Sequence, residues 1–83
     1  MKLQVRYFAS LREALGPTET VDASAGVTLA QLRDQLIQRS PAHAAALARG
    51  RALRCALNQA LSDETASIPE GAEVAFFPPV TGG

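Results

Sequence analysis

Alternation opens the chain. Leu3, Val5 and Tyr7 interleave with Lys2, Gln4, Arg6 and Phe8, which predicts a half-buried strand. Phe8 stands on the polar side of that alternation, so either the strand is buried on both faces there or an aromatic ring is exposed. Ser10-Leu11-Arg12-Glu13 has the form of a capping box, and the helix it opens stops at Gly16-Pro17 within two turns. Glu19 to Asp22 reads as a second strand and Ala23 to Gly26 as a loop. The apolar period then changes from two to three and four. Leu29, Leu32, Leu36 and Ile37 make one helical stripe, with Arg33, Asp34 and Gln38 mostly off it. Thr28 is the expected N-cap of this main helix, Gln31 completes a capping box, and Val27 with Leu32 forms a hydrophobic staple. The stripe ends near Arg39. Ser40-Pro41 predicts the cap and first turn of a short alanine-rich helix running to about Arg49-Gly50.

Alternation returns at Leu53, Cys55 and Leu57, a third strand. Asn58-Gln59 is a plausible tight turn, because Asn tolerates the left-handed region, and Ala60-Leu61 a short return strand. Turn signals at Asp63-Glu64 and Pro69-Glu70-Gly71 flank Ile68. Glu73 to Phe77 is the last strand, with Val74 and Phe76 on one face and Ala75 and Phe77 on the other. Strands and one substantial helix in so compact a chain predict an α+β layer: a mixed sheet of four to five strands with the main helix across one face. If the first and last strands pair in the middle of that sheet, the arrangement is the β-grasp. The expected division is a folded unit over 1–77 and an extended tail over 78–83.

That tail looks built. Pro78-Pro79 cannot donate ladder hydrogen bonds and favours a stiff polyproline path, which predicts an arm projecting from the sheet. From Val80 to Gly83 it reaches roughly 13 Å at ~3.3 Å per residue. Gly82-Gly83 leaves no side chain beside the terminal carboxylate, so it can pass a narrow channel and be approached at its acyl carbon. A bare Gly-Gly is open to an accidental reading; the strand, the double proline and Thr81 before it argue for a built one.

Composition narrows the options. The 83 residues make one domain near the size at which a single core suffices, and a formal charge of zero supplies no basic stripe for nucleic acid. The sole cysteine, Cys55, excludes an internal disulfide, a cysteine-based zinc site and a four-thiolate cluster. Its phase with Leu53 and Leu57 makes it a small buried hydrophobe. No metal site is expected. No apolar run approaches the ~20 residues of a membrane span, and no signal-peptide core opens the chain, so a cytoplasmic protein is expected. His43 reads as a solvated side chain, and Arg49, Arg51 and Arg54 as a solvated face.

Tyr7-Phe8-Ala9-Ser10-Leu11-Arg12-Glu13, the Leu29–Leu36 helix, Leu57-Asn58-Gln59 and, above all, Gly71 through Gly83 resemble the small subunits of molybdopterin synthase, a family of ubiquitin-like sulfur carriers. The similarity covers nearly the whole chain and is loosest over 9–26 and 38–52. It implies a β-grasp carrier without an active site or bound cofactor of its own. In such a family an ATP-dependent activating enzyme adenylates the carboxylate, here that of Gly83, and a sulfur donor converts it to a thiocarboxylate. The loaded tail enters the synthase large subunit, where sulfur passes to cyclic pyranopterin monophosphate. Two sulfurs per product imply two small and two large subunits. Gly83 would carry the chemistry and Gly82 would be its steric companion. Thr81, Val80, Pro79 and Pro78 would be docking contacts. With the first and last strands adjacent, Phe8 and Phe77 would meet on the face away from the helix, joined by Leu61, as the partner surface. A carrier for another pathway, such as thiamine-thiazole synthesis, is a rival that the Phe-Phe-Pro-Pro-Val-Thr run opposes. A modifier joined through Gly83 to lysines of other proteins, or an interaction module with a meaningless tail, are rivals of other classes.

Overall fold

The computed structural model describes residues 1–79. Its elements are β1 (Lys2–Tyr7), α1 (Ala9–Leu15), β2 (Thr18–Asp22), α2 (Leu29–Ile37), α3 (Pro41–Ala46), β3 (Arg54–Leu57), β4 (Ala60–Ser62) and β5 (Glu73–Phe77). Five strands form one sheet in the order β2-β1-β5-β3-β4. The central pair is parallel, with Tyr7 beside Phe76, and the β2, β3 and β4 pairings are antiparallel. A parallel pair so close to both ends of the chain requires a crossover, and α2 lies within it. This is the β-grasp, ubiquitin-like arrangement expected from the sequence.

One face of the sheet buries Leu3, Val5, Tyr7, Val21, Cys55, Val74 and Phe76 with Leu29, Leu32 and Leu36 of α2. The α2 cap forms as its sequence predicts. Thr28 Oγ1 accepts from the Gln31 amide, and the Gln31 side chain accepts from the Thr28 amide.

The capping box at Ser10 does not form. The N-cap is Phe8, with no side-chain cap bond. Its carbonyl accepts from the amides of Leu11 and Arg12, while its own amide donates to Phe76 of β5. Pairing with the last strand thus starts the helix early and leaves Ser10 inside it. Helix α3 begins at the Ser40 cap but ends at Ala46, well before Gly50. Arg33 explains the difference. It is buried on α2, and its guanidinium donates to the carbonyls of Leu47, Ala48 and Arg51 and to Glu64. Those carbonyls therefore follow a path set by Arg33. Arg49 is also not simply solvated, for it binds Asp34, Glu64 and the Ala30 carbonyl.

Candidate functional site

The face of the sheet away from α2 holds the site. Alternation along β5 sends Val74 and Phe76 into the core and leaves Ala75 and Phe77 outside. The β1 parity sends Arg6 and Phe8 to the same side. Phe8 and Phe77 meet edge to face, their ring centres 6.4 Å apart at 85°. Such a pair contributes about 1 kcal/mol beyond its buried area. Phe8 is nonetheless 37% exposed, and Leu61 on the edge strand β4 is 69% exposed.

Between these apolar walls lie Ala56 and Ala75, opposite each other in the β3–β5 register. Their small side chains leave a shallow cavity of about 370 Å³, lined also by Arg6, Gln59 and Glu73. The Arg6 guanidinium lies 5.2 Å from the Phe8 ring centre and 3.6 Å from the Glu73 carboxylate. That stacking and pairing give one flank of the cavity a charged rim. The cavity suits an apolar side chain of a partner, with polar groups at its edge.

Local geometry sets this surface. Ala9 has φ of 53°, an uncommon value for a residue with a Cβ, immediately after Phe8. The left-handed step turns the chain from β1 into α1 and leaves the Phe8 ring outside. Asn58 and Gln59, at φ of 48° and 71°, form the two-residue turn joining β3 to β4 and bring Leu61 opposite Ala56.

The structure thus brings Phe8, Phe77 and Leu61 together. Pro78 and Pro79 follow directly from β5 and are half-buried. Val80, Thr81, Gly82 and Gly83 lie outside the described residues. Sequence reasoning missed Arg6, Ala56, Ala75, Gln59 and Glu73. The parity of Arg6 with Phe8 was the available signal; the others needed the strand register.

The core side of the same sheet end carries a polar cluster that corrects the reading of His43. Its Nε2 lies 2.7 Å from Glu19 Oε2, its Nδ1 lies 2.7 Å from Ser40 Oγ, and its ring meets Tyr7 edge to face. Tyr7 donates to the same Glu19 oxygen at 2.6 Å, and Arg39 pairs with the other at 3.3 Å. Burial opposes ionisation of Glu19, but the bonds from Tyr7 and His43 and the positive charges nearby hold its carboxyl below the usual range. Burial, followed by Glu19, pushes the Tyr7 phenol far above its ordinary value. Cys55 packs in the core, with Sγ 3.3 Å from the Ser62 carbonyl. Burial and then the Glu64 and Asp63 charges push its thiol up, away from a reactive thiolate.

Among the described residues no group of three or more His, Cys, Asp or Glu side chains is placed to hold a metal, and no helix is long and apolar enough to cross a membrane.

Comparison with known proteins gives three kinds of match. A family model described as the ThiS family matches residues 5–83. The Escherichia coli molybdopterin synthase sulfur carrier subunit is 41% identical over 81 residues, which is 98% of this chain and 99% of that protein. Among solved structures, the Haloferax volcanii small archaeal modifier protein 1 has a TM-score of 0.77 at 26% identity, covering 95% of this chain and 98% of that one. A chain from the complex of subunits 1 and 2 of the Helicobacter pylori molybdopterin-converting factor has a TM-score of 0.68 at 27% identity, covering all of both chains.

Proposed function

The chain belongs to the ThiS family, and from that premise we propose that it is the sulfur-carrier small subunit of a molybdopterin synthase, working in the cytoplasm. One observation of the structure carries this reading furthest. An aromatic and aliphatic surface, with Phe8 and Leu61 exposed and Phe77 half-buried between strands, sits at the end of β5, from which the chain continues into Pro78. A carrier needs a docking face at the root of its tail, so that binding the partner also aims the reactive end. The identity to curated sulfur carriers over nearly the full length supports the same reading.

In this proposal the Gly83 carboxylate is activated as an acyl-adenylate by a separate enzyme that uses ATP. Adenylate is the leaving group that a free carboxylate lacks, and a sulfur donor then displaces it. The thiocarboxylate is a nucleophile at neutral pH, and tethering presents it to the large subunit at high effective concentration. It donates sulfur to cyclic pyranopterin monophosphate, and two small with two large subunits supply the two sulfurs. The carrier itself binds no cofactor. Its own parts are the rigid β-grasp, the docking face and the tail: Pro78 to Thr81 as contacts, Gly82 as the bare neighbour, Gly83 as the carrier.

The Haloferax likeness favours a second reading, a protein modifier joined through Gly83 to amines of other proteins. Removing Gly82-Gly83 tests carrier against interaction module. The shortened chain should fold, bind the large subunit with unchanged affinity and deliver no sulfur. Retained sulfur delivery would overturn the proposal. Isopeptide-linked adducts in cells in place of a terminal thioacid would favour the modifier.

A further inference from the structure

Two alanines lie where a sheet ordinarily places larger residues. Ala75 is on β5, the middle strand, and Ala56 is on β3 beside it. They face each other in the β3–β5 register, and Ala56 is 7% exposed without belonging to the core cluster. Alanine is depleted in strands, and β-branched or aromatic cross-strand pairs hold a sheet together better than an alanine pair does. The core does not demand small residues there, because both side chains lie on the face away from α2. The row they belong to shows what small residues provide. Arg6 of β1 stands opposite Ala75, and Leu61 of β4 opposite Ala56, so one row across the sheet reads Arg6, Ala75, Ala56, Leu61. Two long side chains bracket two short ones, over roughly 14 Å at ~4.8 Å per strand. Phe8 and Phe77 close the row on one side along the strands, and Glu73, two residues before Ala75, on the other. The depression so enclosed is the cavity of about 370 Å³. The Arg6 guanidinium and the Glu73 carboxylate, 3.6 Å apart, compensate each other, so neither is left as a counter-ion for a charged occupant.

We infer that Ala56 and Ala75 are specificity-determining residues: they keep open a socket into which the large subunit inserts one large, uncharged, apolar side chain. The inference rests on the large subunit as the partner of this face. A flat apolar contact is made by Phe8, Phe77 and Leu61 over any floor, whereas a socket needs the floor low. Departures from local sheet preference are expected where function requires them. An apolar side chain seated there leaves water at the centre of the contact, where a few anchors carry most of the binding energy. A second copy of this chain is the poorer occupant. Among the described residues the exposed large apolar side chains are Phe8 and Leu61, and both are already walls of the socket. A residue larger than alanine on the floor improves the isolated sheet and obstructs the partner, two effects of opposite sign.

The test compares wild type with Ala75→Ser, Ala75→Val and Ala75→Leu in the full chain, by titration calorimetry against the large subunit and by urea unfolding of the carrier alone. Serine keeps the floor low and should bind nearly as wild type does. Valine and leucine are expected to weaken binding progressively, by about tenfold or more for leucine. Ala75→Val should at the same time raise the urea midpoint. Ala56→Val repeats the comparison from the neighbouring strand, with the same two signs expected. Weakened binding together with a lowered midpoint would mark a distorted sheet and overturn the inference. So would a wild-type dimer in sedimentation that Ala75→Leu dissociates, since the socket would then belong to a second copy. Equal binding by wild type and all the Ala75 variants overturns the inference alone; failure of wild type itself to bind the large subunit overturns the partner reading with it.

Discussion

Glu19 shows how much one carboxylate can organise. It accepts from Tyr7 on β1 and lies within hydrogen-bond reach of His43 on α3, while Arg39 pairs with its other oxygen. Glu19→Gln should cost about 1–2 kcal/mol, by weakening two charge-assisted contacts and an ion pair. The carboxyl is held below its ordinary value of 4.5. Its contribution is therefore present above about pH 4.5 and is lost as pH falls through the lower folded value. Urea unfolding from neutral pH down to about pH 3 should show wild type converging on Glu19→Gln in acid. A constant gap would contradict the assignment. At Ala9 the expectation is steric. Ala9→Val, with a β-branched side chain at φ of 53°, should lose more than about 1 kcal/mol in the same measurement, whereas Ala9→Gly should be neutral or slightly stabilising.

Elements were legible where their signals are local. The α2 cap needs only Thr28 and Gln31, three residues apart, and it forms as read. The Asn58-Gln59 turn is equally local. Gln59→Gly should relieve the left-handed position, stabilising by about 1 kcal/mol and raising Tm by ~4–8 °C in a domain of this size. The Ser10 cap failed because Phe76, far along the chain, claims the Phe8 amide and the helix begins earlier. The length of α3 failed for a related reason: Arg33 reads as a surface residue by helical period, yet its partners are carbonyls 14 to 18 residues away. Arg33→Ala would leave the Leu47 carbonyl buried without its partner and remove the charged donor from those of Ala48 and Arg51 and from Glu64, and should destabilise by about 3 kcal/mol in chemical denaturation. His43 was misread likewise, since Glu19 lies 24 residues from it. Parity foresaw the meeting of Phe8 and Phe77, but the Ala56–Ala75 floor between the aromatics and Leu61 needed the register.

At the scale of the molecule, the β-grasp sheet sets the Phe8, Phe77 and Leu61 surface and the step from β5 into Pro78 at the same end. Leu61→Asp should leave stability within about 0.5 kcal/mol, because the side chain is 69% exposed. It should weaken binding to the large subunit by about tenfold or more in titration calorimetry, if Leu61 is an anchor of that contact. Unchanged affinity would remove this face from the interface. The central claim concerns Gly83 and is read most directly from the protein isolated from its own cells. Intact mass with fragmentation should find one terminal oxygen replaced by sulfur on Gly83. A population that carries only the plain carboxylate while molybdopterin is being made, or one whose Gly83 is joined to lysines of other proteins, would contradict it.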